Sequence, residues 1–253
     1  FEYYYQVKTD YLDQWTPCDL SEFTSRLGFI RYKQGNYPDA IRYYLQAYEQ
    51  HAECAPYRDT TDYFESLGKP QGMLNSVAWC YELMNRPDSA AYYYEQALNL
   101  LDREAPRFPK SKKGLAIARA VIQGNLGGLL GKLGRYDEAV THLSQSIAVN
   151  RLPEHDQRDV QTAQIKLADI YITLGKFNDA QQLLADCRVG LDTMFSDDYE
   201  LRWRRTYWRL KDLQGDQDEA YRALKSYHRY SDSLHDVNSR MFSTDFSQAF
   251  AER

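Results

Sequence analysis

Five segments of the chain share one pattern of apolar and polar positions, and each segment reads as two helices joined by a tight turn. An apolar stripe at helical spacing ends at a Gly or Asn, and a second stripe begins a few residues later. Gly and Asn adopt the left-handed conformation that ends a helix, so each of them marks a reversal. The turn residues are Gly35, Asn85, Gly134, Gly175 and Gly215, spaced 50, 49, 41 and 40 residues apart.

The second helix of every segment carries the same side chains at the same distance from its turn. An alanine stands five residues after the turn, where a small side chain lets the two helices pack closely. A bulky apolar residue follows four positions later, on the same face of the helix. These residues are Ala40 and Tyr44, Ala90 and Tyr94, Ala139 and Leu143, Ala180 and Leu184, and Ala220 and Leu224. The series predicts five helical hairpins.

This pattern resembles the tetratricopeptide repeat over about residues 19–234. In the third segment Leu126, Gly127, Gly134, Tyr136 and Ala139 all stand at the family's positions. The long spacing is similar to that of the variants in kinesin light chains and bacterial peptide-sensing regulators. The resemblance implies an all-α, right-handed superhelical solenoid of about five helix-turn-helix repeats with a C-terminal capping or exit helix.

The ends of the chain depart from the repeat. Residues 1–18 contain no turn signal and are expected to be the tail of a preceding helix, in a chain that is a piece of a longer protein because no Met opens it. Asp19 and Glu22 have the spacing of a capping box and predict where the first repeat begins. Residues 235–253 keep a sparse apolar stripe without another turn-plus-alanine signature, which predicts an exit helix.

The end of the fifth segment resembles the exit of the tetratricopeptide sensor regions of bacterial two-component histidine kinases. In those regions Y-x-x-Y-x-D-S-L ends the repeats, and Tyr227, Tyr230, Asp232, Ser233 and Leu234 match it. The resemblance implies a periplasmic or other extracytoplasmic sensor domain whose long helix leads to a membrane span and a kinase. A homodimer through the C-terminal helix is a further expectation. The alternative is a cytoplasmic scaffold or peptide-responsive regulator.

In the tetratricopeptide family the first helix of each pair lines a concave groove that receives a protein or peptide segment. The resemblance implies a groove that is aromatic at its N-terminal end and basic at its C-terminal end, suited to an extended or acidic ligand. We expect the ligand's anion near Lys166, Arg205 and Arg209, because guanidinium forks match carboxylates. The alternatives are that the arginines form a solvated face with acidic neighbours, and that Phe29 and Trp79 lie in the core between repeats. The residues assigned to the groove are Arg26, Phe29, Tyr32, Trp79, Asn125, Lys132, Lys166, Asp169, Arg205 and Arg209.

Composition narrows the class of function. A net charge of -5 argues against a general nucleic-acid partner, which requires a basic surface. No apolar run approaches the roughly 20 residues of a membrane span, so no membrane insertion by this segment is expected. The sequence contains no G-x-S-x-G elbow, and its Cys and His residues lack the clustered spacing of a zinc site. We therefore expect no catalytic residues, no cofactor and no metal.

The four cysteines do not decide in which cellular compartment the protein lies. Cys80 and Cys187 are predicted to be buried on helix faces, where a free thiol behaves as a small apolar group. Cys18 and Cys54 lie near helix ends and would pair in an oxidising compartment. Whether they do so is not decided by the sequence.

Overall fold

The computed structural model describes residues 15–57, 59, 61–151, 157–191 and 197–251, with the side chains of all of these except 157, 190, 191, 197, 198 and 237–251. Within these ranges every regular element is helical, which confirms the prediction of an all-α chain of helix-turn-helix repeats. Of the expected preceding tail over residues 1–18, residues 1–14 lie outside the described part. The α-helices are α1 (Pro17–Lys33), α2 (Tyr37–Glu53), α3 (Lys69–Leu83), α4 (Pro87–Glu104), α5 (Lys112–Lys132), α6 (Tyr136–Asn150), α7 (Gln157–Thr173), α8 (Phe177–Leu191), α9 (Asp197–Leu213) and α10 (Gln217–Ala251).

The helices divide into two compact units, residues 1–134 and 135–253. In the first unit α2 packs against α1 and α3, and α5 packs against α3 and α4. In the second unit α7 packs against α6 and α8, and α9 packs against α7, α8 and α10. The division follows Gly134, inside the turn of the third repeat. The sequence pattern predicts no division there, because both halves carry the same repeat.

All five predicted turn residues have the left-handed backbone conformation. The φ angles are 73° at Gly35 and 56° at Asn85, and the other three lie between 71° and 78°. At Gly35, Asn85, Gly175 and Gly215 the first helix ends in a paired set of backbone hydrogen bonds, for example from Gly35 N–H to Tyr32 C=O at 3.0 Å and from Asn36 N–H to Arg31 C=O at 2.9 Å. This is the Schellman arrangement, which satisfies the last carbonyls of a helix and reverses the chain.

The alanine and the bulky residue after each turn form the core of the hairpins. The five alanines are at most 6% exposed, and so are Tyr44, Tyr94, Leu143 and Leu184. Leu224 in the fifth repeat is the exception, since it stays partly exposed. A small residue is also required opposite the bulky one in the first repeat, because a Cβ at Gly28 would lie 3.0 Å from the ring of Tyr44.

The first helix starts three residues earlier than the predicted capping box places it. Its N-cap is Thr16, whose hydroxyl accepts from the Asp19 N–H at 3.3 Å, while the Asp19 carboxylate accepts from the Thr16 N–H at 3.0 Å. Asp19 is therefore the N3 residue of the capping box and not its N-cap. Pro17 occupies the first helical position, where a proline is favoured. Hydrogen bonds from Thr16 lower the pKa of Asp19.

A disulfide joins Cys18 to Cys54, with their Cα atoms 4.8 Å apart. It ties the first turn of α1 to the end of α2, so the first hairpin is closed covalently at its open end. Cys80 and Cys187 are free and buried as predicted. Burial raises the pKa of Cys80 to about 11 and that of Cys187 to about 12.

The last helix, α10, is continuous over 35 residues. It includes both the second helix of the fifth repeat and the described part of the predicted exit segment, so no helix boundary falls at residue 234. Among the described residues no helix combines the length and the apolar content needed to cross a membrane.

Candidate functional site

In the first unit polar side-chain contacts link each first helix of a hairpin to the next. Between α1 and α3, the Trp79 Nε1–H donates to the Tyr32 hydroxyl at 3.1 Å. Between α3 and α5, the Asn125 side-chain amide donates to Asn75 Oδ1 at 3.2 Å. Four of the predicted groove residues therefore take part in links along the predicted groove-facing helices: Tyr32, Trp79, Asn125 and Lys132.

Lys132 makes the third of these links. Its Nζ lies 2.7 Å from Glu82 Oε1, and the Glu82 side chain is only 5% exposed. The hydroxyl of Tyr94 donates to the other carboxylate oxygen at 3.2 Å. A carboxylate this deeply buried requires a cation and a donor to compensate for its lost hydration. Lys132 is thus paired with Glu82 although its own side chain is 68% exposed, and the pair links α3 to α5.

A cleft of about 380 Å³ lies where α1 and α3 meet. It contains the predicted residues Arg26 and Phe29. The other side of the cleft is built by a π-helical segment, Phe64–Gly68, which runs directly into α3. This volume is within the usual range for sites that hold a small ligand or one or two side chains. The cleft is lined by Glu22, Ser25, Arg26, Phe29, Tyr44, Phe64, Gly68, Lys69, Gly72, Met73 and Ser76.

The apolar part of the cleft is formed by two exposed phenyl rings above a buried floor. Phe29 is 52% exposed and Phe64 is 61% exposed, whereas Met73 in the floor is buried. Phe29 is therefore not a core residue between repeats, which was the alternative for it. No described residue lies within 4 Å of the position that a Cβ on Gly72 would occupy, so the α3 backbone is bare where it borders the cleft.

The polar end of the cleft is an ion-pair network centred on Glu22. Its carboxylate accepts from Arg26 Nε at 3.0 Å and lies 3.2 Å from Lys69 Nζ, which also contacts Glu65 at 2.9 Å. Burial opposes ionisation of Glu22, but the hydrogen bonds from Arg26 and Lys69 outweigh it and lower its pKa. The network contains two cations and two carboxylates, so its charges balance and it offers a ligand charged hydrogen-bonding partners of both signs.

In the second unit the structure brings Asp169 and Arg209 together. Arg209 Nη1 lies 3.0 Å from Asp169 Oδ1, and Nη2 donates to the Thr173 hydroxyl at 2.9 Å. The guanidinium fork that was expected to meet a ligand carboxylate thus has partners on the neighbouring first helix. Lys166 lies half-buried on α7, and Arg205 is exposed on α9.

The arginines around α9 mostly have acidic neighbours, as the alternative interpretation supposed. Arg188 donates to both carboxylate oxygens of Glu200 at 2.8 and 2.7 Å, and Arg204 reaches the same carboxylate at 2.6 Å. Arg188 also lies over the ring of Trp203, which stacks on Tyr207. These contacts join α8 to α9, so they stabilise the second unit and do not form an open anion site.

Several cleft residues have no signal in the sequence pattern. Phe64, Lys69 and Gly72 lie in a stretch that breaks the repeat and is predicted as an enlarged connection between two hairpins. This stretch contains Gly68, Pro70 and Gly72, and these residue types are typical of turns, so the sequence does not predict that it is helical. Within the described ranges no group of three or more His, Cys, Asp or Glu residues is arranged to hold a metal ion.

Comparison with known proteins supports a repeat fold of the tetratricopeptide type. Residues 118–188 match the tetratricopeptide repeat family. That match covers most of α5, all of α6 and α7, and most of α8. No curated protein matches the chain in sequence.

Three solved structures of other proteins have the same fold. BtubC (BKLC) from P. vanneervenii is 18% identical with a TM-score of 0.67, over 92% of this chain and 87% of that one. A Podospora anserina protein with nearly identical TPR-like repeats is 19% identical with a TM-score of 0.58, over 86% and 97%. A Rap protein complexed with competence and sporulation factor is 18% identical with a TM-score of 0.62, over 92% and 59%. At these identities the likeness is one of fold.

Proposed function

We propose that the chain is a non-catalytic module that binds an extended protein or peptide segment, and that the cleft between α1 and α3 holds a bulky apolar side chain of that segment. The observation that carries the proposal is the pair of exposed rings, Phe29 and Phe64, beside an ion-pair network in one cleft. A repeat fold of this type is typical of interaction scaffolds. The Rap protein of similar fold, solved in complex with a factor, supports the same class of function.

The two rings supply affinity, and the charges supply orientation. Covering the exposed half of each ring would favour binding by about 1 kcal/mol per ring. Arg26, Lys69 and Glu22 line that end of the cleft, so a charged or polar residue next to the apolar side chain would be oriented there by exchanging contacts with this network. Charges at the rim of an interface mainly set orientation and association rate, so we expect the aromatic contacts to dominate the affinity.

Selection from a phage-displayed library of random peptides tests this proposal. Peptides that bind the chain should share a bulky apolar residue with a charged or polar neighbour. The Kd of a selected peptide, measured by fluorescence anisotropy, should rise about tenfold or more in Phe29→Ser and in Phe64→Ser. Tyr92→Ser is the matched control, because Tyr92 is 55% exposed in the same unit and lies outside the cleft. Equal loss in the control, or no selected peptide, would overturn the proposal.

We further propose that the module is the extracytoplasmic sensor region of a two-component signalling protein. The exit pattern from Tyr227 to Leu234 and the long helix that contains it support this. The Cys18–Cys54 disulfide also supports it, since disulfides persist mainly in oxidising compartments. The test is the gene sequence around these residues. An apolar span of about 20 residues soon after residue 253, followed by a kinase region, is the expected result.

The second candidate is a cytoplasmic scaffold or peptide-responsive regulator, and the fold it shares with the Rap protein is the observation that favours it. The redox state of the cysteines in cells separates the two candidates. Alkylation of unreduced cell extracts should leave Cys18 and Cys54 unmodified if the module is extracytoplasmic. Two reduced, alkylated cysteines at these positions, together with a gene that encodes no membrane span, would favour the cytoplasmic regulator.

A further inference from the structure

The π-helical segment that carries Phe64 is anchored by residues that do not line the cleft. Tyr63, which directly precedes the segment, donates from its hydroxyl to the Gly114 C=O at 3.0 Å. The Tyr63 ring also packs edge-on against Phe108, with the ring centroids 6.0 Å apart, and Phe108 is only 3% exposed. Gly114 lies in the first turn of α5, and Phe108 lies in the connection that leads from α4 to α5. One side of the cleft is therefore attached to the start of α5.

This attachment requires a glycine at position 114. A Cβ there would lie 2.8 Å from Cε1 of the Tyr63 ring, well inside the roughly 3.5 to 4 Å of an ordinary carbon–carbon contact. Gly114 lies within α5, and a helical backbone favours alanine over glycine. The contact with Tyr63, and not the local backbone, therefore explains why this position has no side chain.

The Phe64 ring is confined from below in a similar way. A Cβ on Gly68 would lie 3.0 Å from this ring, so the ring rests close against the backbone of its own segment. Leu67, near the end of the segment, is fully buried, whereas Phe64 is 61% exposed. Phe64 thus stands between two anchored residues, Tyr63 and Leu67. Short π-helical turns are uncommon and often occur at functional sites.

We propose that Tyr63 is a positioning residue for the cleft. Together with Gly114 and Phe108 it fixes the π-helical segment, so that the Phe64 ring already has the orientation that binds a ligand side chain. The inference rests on the proposed function, because it assigns how one of the two binding rings is held. A ring on a loose segment loses conformational freedom when a ligand binds, and a ring that is fixed beforehand loses less. The start of α5 therefore contributes to affinity without contacting the ligand.

Gly114→Ala tests the proposal, because the added methyl group must displace the Tyr63 ring. The probe is the phage-selected peptide, and its Kd is measured by fluorescence anisotropy on the whole 253-residue chain. We expect the Kd to rise about fivefold, as when an ordered aromatic side chain becomes free. Lys112→Ala is the matched control, since it places an alanine at an exposed position in the same helical turn, and it should leave the Kd unchanged.

A thermodynamic cycle separates the positioning of Phe64 from a general loss of structure. In the Phe64→Ser background, Gly114→Ala should change the Kd by less than about 1.5-fold, because the ring that it displaces is no longer present. Tyr63→Phe is the milder second variant, which keeps the ring and removes only the hydroxyl's hydrogen bond to Gly114. It should raise the Kd about twofold in the natural background and leave it unchanged in the Phe64→Ser background. Thermal unfolding of each variant shows that the fold is retained.

The outcomes distinguish this inference from the proposed function. If Phe64→Ser raises the Kd while Gly114→Ala and Tyr63→Phe leave it unchanged, the positioning role is wrong and the cleft remains the binding site. An equal rise in the natural and the Phe64→Ser backgrounds also overturns the positioning role, because the variants would then act on another part of the chain. If Phe64→Ser itself has no effect, the cleft is not the binding site, and the positioning role fails with it.

Discussion

Removing the Cys18–Cys54 disulfide should loosen the helix that supplies Arg26 and Phe29 to the cleft. The bond closes a loop with a sequence separation of 36 residues. In the chain-entropy model a loop of that size stabilises the folded state by about 4 kcal/mol, which is an upper value because native strain is neglected. A loss of that size corresponds to a fall in melting temperature of roughly 10 °C for a unit of this length.

Thermal unfolding followed by circular dichroism gives the size of the effect, and hydrogen exchange gives its location. Cys18→Ser/Cys54→Ser should melt below the natural chain, and the natural chain should behave like the variant once its disulfide is reduced. Amide exchange should accelerate mainly in α1 and α2, while α7 to α9 in the other unit keep their protection, because hairpins in a repeat array open locally.

The double serine variant also tests whether the effect of reductant comes from the Cys18–Cys54 bond. Reductant should have no effect on the double serine variant, which serves as the matched control for the natural chain. If alkylation shows that the bond is formed in the natural chain and yet reduction changes neither its melting temperature nor the exchange of α1, the disulfide does not stabilise the first hairpin. The proposed link between the bond and the cleft would then be wrong.

Three further predictions concern single sites. Gln161 is 1% exposed and neither atom of its amide has a partner among the described residues, so Gln161→Met should raise stability by about 1 kcal/mol in urea unfolding; a loss would indicate a bound water or other partner. Arg209→Met removes a partly exposed ion pair with Asp169 and should cost less than about 1 kcal/mol by the same assay; a loss several times larger would contradict the surface character of the pair. Burial raises the pKa of Cys80 to about 11 and of Cys187 to about 12, so both thiols stay protonated at about pH 8. The folded, oxidised chain should then show no fast reaction with a disulfide reagent, and the unfolded chain should show two thiols. Rapid labelling before unfolding would contradict the burial of these two residues.

The repeat could be predicted from the sequence because its determinants are local. A left-handed turn residue, an alanine five positions later and a bulky residue four positions after that each act within one hairpin. Gly35 with Ala40 and Tyr44 illustrate this, since the turn angle and the burial follow from residue type alone. The predicted start of α1 was wrong because its N-cap, Thr16, and its first helical residue, Pro17, lie just before the apolar stripe begins.

The candidate site was only partly predictable, because it depends on contacts between hairpins. Arg26 and Phe29 were assigned to a ligand surface through the family resemblance, and both line the cleft. Phe64 was not assigned, because its segment interrupts the repeat and forms a π-helix. The partner of Arg209 lies 40 residues away on another first helix, so neither helix reveals the ion pair by itself.

The measurement that tests the central claim most directly is the Kd of a selected peptide for Gly72→Leu. Gly72 lines the cleft, and in the part of the chain that the structure describes no atom lies within 4 Å of a Cβ at this position, so a side chain there would occupy the open space of the cleft. Leucine favours a helix over glycine by somewhat less than about 1 kcal/mol, so the fold should be at least as stable as before. We predict that the Kd rises about tenfold or more while the melting temperature does not fall. Full affinity in this variant would contradict the assignment of the cleft as the binding site.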